Sequence, residues 1–287
     1  MKLQAALCLL LAMAAAHASN ERNLAPAVQG PYLIWKGEFA LNPLTGGSYS
    51  ALGWRERIYD NENPWLGYNF LGEEIFGDIH LNEVSLGSRL MVQPTSFFSA
   101  ALSYRLVCFP NGVASFEGGK DWEESSVKEE LWHKNKLKFN TFGDEFSLKL
   151  SLHKDWGPWQ GSVPVEWARL DIRDELRDSI YVPSWDLLAR SRDDYMKIAP
   201  MVGYRFDAPF LFGVGIAHTL SWTVDHDITS QRSGVWFQMW PFSGRSGGEM
   251  RYWSLFSRVD LWSQNQYKHL EPRLELSLGW DRNLLQD

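Results

Sequence analysis

Residues 210–224 alternate with unusual regularity. Phe210, Phe212, Val214, Ile216, Leu220, Trp222 and Val224 share one parity; Leu211, Gly213, Gly215, Ala217, Thr219, Ser221 and Thr223 share the other. A period of two over this length predicts a strand well beyond the roughly 5–6 residues common in soluble proteins. One bulky apolar face and one small or polar face, sustained that far, suits a wall with hydrocarbon on its outside. The preceding arm sets Met196, Ile198, Val202 and Tyr204 against Lys197, Ala199, Gly203 and Arg205, and turns back through Asp207–Pro209. Pro200 lies inside that arm and donates no ladder hydrogen bond, which predicts a local bulge.

The N-terminus reads as an export signal. Lys2 supplies the charge, Ala5–Ala16 the apolar core, and Ala16-His17-Ala18 a cleavage site. A core that short is a signal peptide rather than a membrane helix, so residues 1–18 are expected to be removed and 19–287 to form a single domain. Downstream no apolar run approaches the roughly 20 residues of a spanning helix. Cys108 is the one cysteine beyond the signal, so neither an intramolecular disulfide nor a cysteine zinc site is available. The net charge of −7 argues against nucleic acid as a partner. Fifteen Trp, ten Tyr and sixteen Phe are a load that aromatic girdles at two membrane interfaces use naturally.

Other alternating runs extend the pattern. Val84, Leu86, Leu90 and Val92 oppose Glu83, Ser85, Gly87 and Arg89, with a turn at Gln93–Thr95 and a return run from Phe98 to Cys108. Ile79 and Leu81 have the opposite parity to Val84, which predicts a bulge near Asn82. Leu137 and Phe139, a turn at Thr141–Asp144, and Phe146–Leu152 follow. Val163–Asp171 and Ile180–Arg190 are weaker strands interrupted by Pro164 and Pro183. Val235–Phe242, Trp253–Leu261 and Leu270–Trp280 close the chain. Tyr32–Leu41 and Ala51–Asp60 compete for the place of first wall strand. The expectation is an all-β, closed antiparallel transmembrane β-barrel of about twelve strands. Connections at Gln93–Thr95, Thr141–Asp144, Arg173–Asp178, Asp207–Pro209 and Ser243–Gly248 are assigned to a short-turn end. Those at Asn61–Gly72, Pro110–Val127, Asp155–Ser162 and Asp225–Gly234 are assigned to a long-loop end, which also takes the shorter Ser191–Asp194 and Ser263–Lys268.

In signal, strand patterning and loop asymmetry the chain resembles the bacterial outer-membrane β-barrel class, with no motif of a particular family. The resemblance implies a Gram-negative outer membrane, contact with its lipid and lipopolysaccharide, and insertion by the barrel-assembly machinery. One departure is the tail: such barrels usually end on an aromatic residue, whereas Trp280 is followed by Asp281–Asp287.

Lipid hydrolases of that membrane place His and Ser two residues apart on one strand face; none of the histidines after the signal is so followed, and no catalytic residue is assigned. Asp225-His226-Asp227 reads as a solvated loop. The acidic stretches Glu117–Glu130 and Asp225–Asp227 have oxygens for calcium but read more simply as solvated, so no metal or cofactor is expected. What remains is the polar parity. Glu83, Arg89, Arg105, Lys149, Lys197, Arg205, Arg258, Asp260, Glu271, Arg273 and Glu275 are the pore-lining candidates, with Lys136 and Lys138 of the same character. Two outcomes fit these charges: a narrow path for small polar or ionic solutes, or cross-strand ion pairs that fill the interior. The first is the leading expectation. A lipid-modifying enzyme and a structural or surface-recognition barrel are the alternatives.

Overall fold

A computed structural model describes residues 29–41, 45–61, 63, 65–67, 69–80, 83–110, 115–116, 141–172, 179–182, 185, 187–189, 192–206, 211–224, 229–240, 253–264 and 272–283. Both candidates for the first wall strand belong to the wall, as β1 (Gly30–Leu41) and β2 (Thr45–Glu56). They are followed by β3 (Phe70–His80), β4 (Glu83–Thr95) and β5 (Phe98–Phe109), then, past a two-residue strand β6 (Ser115–Phe116), by β7 (Thr141–Trp156) and β8 (Trp159–Ile172). Two short strands, β9 (Ser179–Val182) and β10 (Leu187–Ala189), precede β11 (Arg192–Ile198) and β12 (Met201–Phe206). The wall is completed by β13 (Leu211–Thr223), β14 (Thr229–Trp240), β15 (Trp253–Gln264) and β16 (Pro272–Asn283).

Each wall strand pairs antiparallel with its neighbours. The ring closes because β1 also pairs with β16, and β13 with β14. β11 and β12 are two halves of one stave, both lying between β8 and β13. Counted that way the wall has twelve staves. A closed ring leaves no strand edge, so backbone N–H and C=O groups at hydrocarbon depth find partners within the wall.

Parity sets the two faces. On β13, Val214 and Ile216 point outward, the latter 61 % exposed, while Ala217, Thr219, Ser221 and Thr223 are buried inward. Ile75 (66 %) and Leu86 (62 %) do the same on β3 and β4, within an outward belt of leucines, isoleucines, valines and aromatics. The bulky residues therefore face out, as lipid requires. Glu73 stands on this outward face between Trp54 and Leu90, and nothing in the structure explains it.

Several local expectations are corrected. No bulge separates Ile79 from Val84. Ile79 pairs with Val84 and His80 with Glu83, so the parity change is a hairpin whose connection, 81–82, lies outside the described residues. The Thr141–Asp144 turn is the beginning of β7, while Leu137–Phe139 lies outside the described residues. The expected connection at Asp155–Ser162 shrinks to Gly157-Pro158, where Gly157 takes φ 63° and Trp156 pairs with Trp159. The Gln93–Thr95 turn moves to Ser96-Phe97. Ile180–Arg190 is no wall strand, since β9 and β10 pair with each other and β6 pairs with β9. At Pro200 the stave breaks without inserting a residue. Ile198 pairs with Leu220 and Met201 with Ala217, equal steps on both strands. The Ala199 N–H bonds to the Pro164 carbonyl and the His218 N–H to the Pro200 carbonyl, so the gap stays bridged.

The assignment of ends is corrected too. β1 begins and β16 ends at one rim, here called terminal. Residues 57–69 and Gly157-Pro158 lie at that rim together with Ser96-Phe97. β5 and β8 end, and β7 and β11 begin, at the opposite, distal rim, which the connections 110–140 and 173–191 join. Ile58, Tyr59 and Leu66 are pinned at the terminal rim by Asn69, which is fully buried. Its side-chain oxygen accepts from the Ile58 and Tyr59 N–H groups, and its amide donates to the Tyr59 and Leu66 carbonyls.

Three glycines admit one fully buried inward indole. Trp236, 1 % exposed, lies flat over Gly203, Gly213 and Gly215 on the neighbouring staves, and donates from Nε1 to the Ile216 carbonyl at 3.2 Å. A Cβ on Gly203 or Gly215 would run into that ring. Gly203→Val is expected to destabilise the barrel by about 1–3 kcal/mol through overpacking, read from denaturant unfolding in lipid vesicles. Ile75→Arg, on the outer face, is expected to cost about 2–4 kcal/mol in the same measurement. An unchanged stability for Ile75→Arg would place that residue out of the hydrocarbon.

Candidate functional site

The lumen encloses a cavity of about 410 Å³ lined mainly by polar and charged side chains. Its basic and acidic groups come from inward parity positions on nearly every stave, and they sort into clusters by cross-strand register.

Toward the terminal side, Glu74 is held from three directions. Tyr32 Oη donates to it at 2.9 Å, Tyr49 Oη at 2.5 Å and Arg89 Nη1 at 2.6 Å. Arg89 also donates to Tyr49 Oη and to Ser103 Oγ, both at 3.0 Å. The Arg55 guanidinium lies over the Tyr32 ring, 4.0 Å from its centroid. Aromatic hydroxyls and guanidinium together satisfy a carboxylate whose side chain is 1 % exposed.

Toward the distal side, Arg105 joins two carboxylates. It grips Glu145 with two parallel bonds, from Nε at 2.9 Å and from Nη2 at 2.7 Å, and reaches Glu83 from Nη1 at 2.8 Å. Bidentate geometry of this kind is the strong form of the pair. Trp185, between β9 and β10, enters the lumen at this point. It stacks on Tyr195 with ring centroids 4.8 Å apart and donates from Nε1 to Glu145 at 2.9 Å. The hairpin that was expected to be wall instead brings an aromatic into the opening.

A third cluster spans β14 to β16. Asp260, buried, accepts from Arg258 Nε at 2.8 Å, has Arg232 Nε at 3.7 Å, and pairs in register with Arg273, as Arg258 does with Glu275. Arg258 also donates to Thr219 Oγ1 at 3.1 Å. Smaller pairs complete the lining: Lys36 with Glu38, His80 with Asp78, and Arg205 with Asp155 at the terminal rim.

Of the sequence candidates, Glu83 and Arg105 come together, as do Arg258, Asp260, Arg273 and Glu275. Arg89 and Arg205 each join partners that the sequence reading did not select. Lys149 and Lys197 point into the cavity on either side of Glu166, and Glu271 lies outside the described residues. Sequence reasoning missed Glu74, Glu145, Glu166, Tyr49, Arg232 and Trp185. For Glu74 a signal existed, because Phe70, Gly72, Glu74 and Phe76 alternate with Leu71, Glu73 and Ile75. Among the described residues no group of three His, Cys, Asp or Glu converges for a metal, and the acidic stretches weighed for calcium lie outside them.

On the outer face, His218 and Ser233 pair in register, with His218 Nδ1 and Ser233 Oγ 2.7 Å apart. They sit midway along β13 and β14, in the lipid-facing belt beside Ile216. No carboxylate among the described residues bonds to either one.

This arrangement defines a twelve-stave transmembrane β-barrel with a charged lumen, the architecture of bacterial outer-membrane barrels. No family model matches the chain, and no curated protein does. Among solved structures, the β domain of the Bordetella autotransporter BrkA is 10 % identical, with a TM-score of 0.47 over 88 % of this chain and 98 % of its own. An outer-membrane channel from Pseudomonas putida F1 is 10 % identical, with a TM-score of 0.49 over 93 % and 100 %. LpxR from Salmonella typhimurium is 9 % identical, with a TM-score of 0.43 over 87 % and 99 %. The fold assignment rests on the wall's own closure and register.

Arg105 gives a direct test of the distal cluster. Arg105→Met leaves Glu83 and Glu145 facing each other without their cation, and is expected to cost about 3–5 kcal/mol. Adding Glu145→Gln to it should recover part of that loss, measured by the same unfolding equilibrium.

Proposed function

We propose that the protein is an integral outer-membrane barrel that conducts small polar or ionic solutes through a narrow lumen. The observation that carries this reading is the cavity of about 410 Å³, walled by charged side chains inside a ring with a lipid-facing exterior. An anchor or display barrel gains nothing from such a space, and a lumen filled by side chains would close it with complementary pairs. Several charges are paired here, yet they are pulled against the wall by neighbours on adjacent staves, which leaves the axis polar. On this reading Trp185 and its hairpin narrow the distal mouth, as a loop folded into a barrel does. The distal rim, with the connections 110–140 and 173–191, then faces outward and the termini face the periplasm.

Refolded protein in planar bilayers should give discrete single-channel steps, and Trp185→Ala should enlarge them without altering the heat-modifiable gel shift of the folded barrel. An absence of steps in both proteins would remove the channel reading.

A second reading, a lipid hydrolase, is favoured by one observation: the outward His218–Ser233 contact places a base beside a hydroxyl. Against it stand the position midway along the staves, far from where an ester group of a bilayer lipid lies, and the lack of an orienting carboxylate. A fluorophosphonate probe that labels the wild-type protein and not Ser233→Ala would support the hydrolase.

A further inference from the structure

We propose that the middle of the lumen holds a binding site for a small hydroxylated carboxylate, built on Lys149 and Lys197 across Glu166. The proposal rests on the channel reading for how such a ligand reaches the site. Lys149 pairs in register with Glu166, and Glu166 with Lys197, so the three lie in one row on β7, β8 and β11. Adjacent strands are about 4.8 Å apart, which sets the two lysine Cα atoms roughly 10 Å from each other, within joint reach of one small molecule. All three side chains line the cavity.

Among the described residues, their lack of partners sets them apart. Arg89 is bonded to Glu74, Arg105 to Glu83 and Glu145, Arg258 to Asp260, Lys36 to Glu38 and Arg205 to Asp155. Neither Lys149 nor Lys197 makes a hydrogen bond or ion pair with any described residue, and Glu166 lies beyond ion-pair distance of both. Two uncommitted ammonium groups around one carboxylate leave a local excess of positive charge, which an incoming anion offsets. The wider lining agrees. Seven Lys or Arg and five Asp or Glu surround the cavity, in a chain whose overall charge is −7.

Glu166 narrows the ligand class. It repels a second negative charge near the row's centre and accepts a hydrogen bond from a hydroxyl. The row continues from Lys197 onto Ser221, which can bond a further hydroxyl. A singly charged carboxylate carrying several hydroxyl groups satisfies the ammonium groups, Glu166 and the serine together; a compact multiply charged oxyanion does not.

The test uses sodium gluconate as probe, with inorganic phosphate for comparison, on refolded full-length barrel. Calorimetric titration in detergent reads binding independently of conduction. Saturable gluconate binding is expected, weakened at least tenfold in Lys149→Gln/Lys197→Gln, largely retained in the double arginine variant, and unchanged in Lys154→Gln, whose ammonium lies over the Trp65 ring instead. Gluconate should also reduce chloride current in bilayers, and the reversal potential in a potassium chloride gradient should favour anions. Gluconate binding that is absent, or indifferent to both lysines, overturns the site. Phosphate binding as tightly as gluconate, and lost with the lysines, overturns the hydroxylated-carboxylate assignment. Lysine-dependent binding without any current supports the site while removing the channel. Should the double glutamine variant fail to fold, Glu166→Gln replaces it: tighter phosphate binding than in wild type is expected, and no change overturns the role given to Glu166.

Discussion

The whole molecule depends on hydrogen-bond closure between its first and last staves. Ten consecutive register positions join β1 to β16, from Tyr32 opposite Asn283 to Leu41 opposite Leu274. Without that seam the sheet would present two open edges to hydrocarbon, where each unpaired backbone group costs several kcal/mol. Once the ring closes, side-chain parity has only two destinations, and every second residue is committed to lipid or lumen. The charged residues of the polar parity then face one another across a confined interior, and the rest of the structure is an account of how they are accommodated.

Accommodation follows strand register. Arg105 and Glu145 are directly opposite on β5 and β7, Arg258 and Glu275 on β15 and β16, Asp260 and Arg273 two steps along the same pair. Cross-strand neighbours of opposite charge are the sheet's own stabilising unit, here moved from a surface to an interior. The pairing draws guanidiniums and carboxylates back against the wall. Trp236 is accommodated by the opposite device, since three glycines remove side chains from the neighbouring staves so that a large ring can lie flat. Both devices keep bulk away from the barrel axis.

How much of this was legible follows from what strand parity can and cannot encode. The outward set on β13 and the inward charges on β4, β5 and β16 could be read directly, because each run alternates for longer than any competing period. Glu74 and Glu145 were lost for local reasons. One follows a loop rich in Asn, Pro and Gly, and the other follows Thr141–Asp144, whose polar composition imitates a turn while the chain continues straight. The count of about twelve survived because misreadings offset each other: β3 and one of the first two staves were missing, whereas Ile180–Arg190 was taken as wall and Thr141–Asp144, part of β7, as a turn between two strands. Trp185 was illegible in principle. Its place in the lumen depends on where a loop folds, which no period reports. The same holds for His218 and Ser233, whose contact is set by register between strands rather than by spacing along one.

The sign of the lumen is the point at which fold and function meet. A chain with seven more acidic than basic residues has to place its excess negative charge somewhere, and the cavity lining shows that it is not there. Acidic groups on the rims and loops cost little, being hydrated. Basic groups in a narrow interior cost a good deal unless they are paired, so each one left unpaired invites a functional explanation. Neighbouring inward positions such as Ser147, Ala168 and Ala101 carry small side chains instead. Lys149 and Lys197 stand beside Glu166 on three adjacent staves in a single row, where, on the proposed reading, an incoming anion offsets the local electrostatic cost.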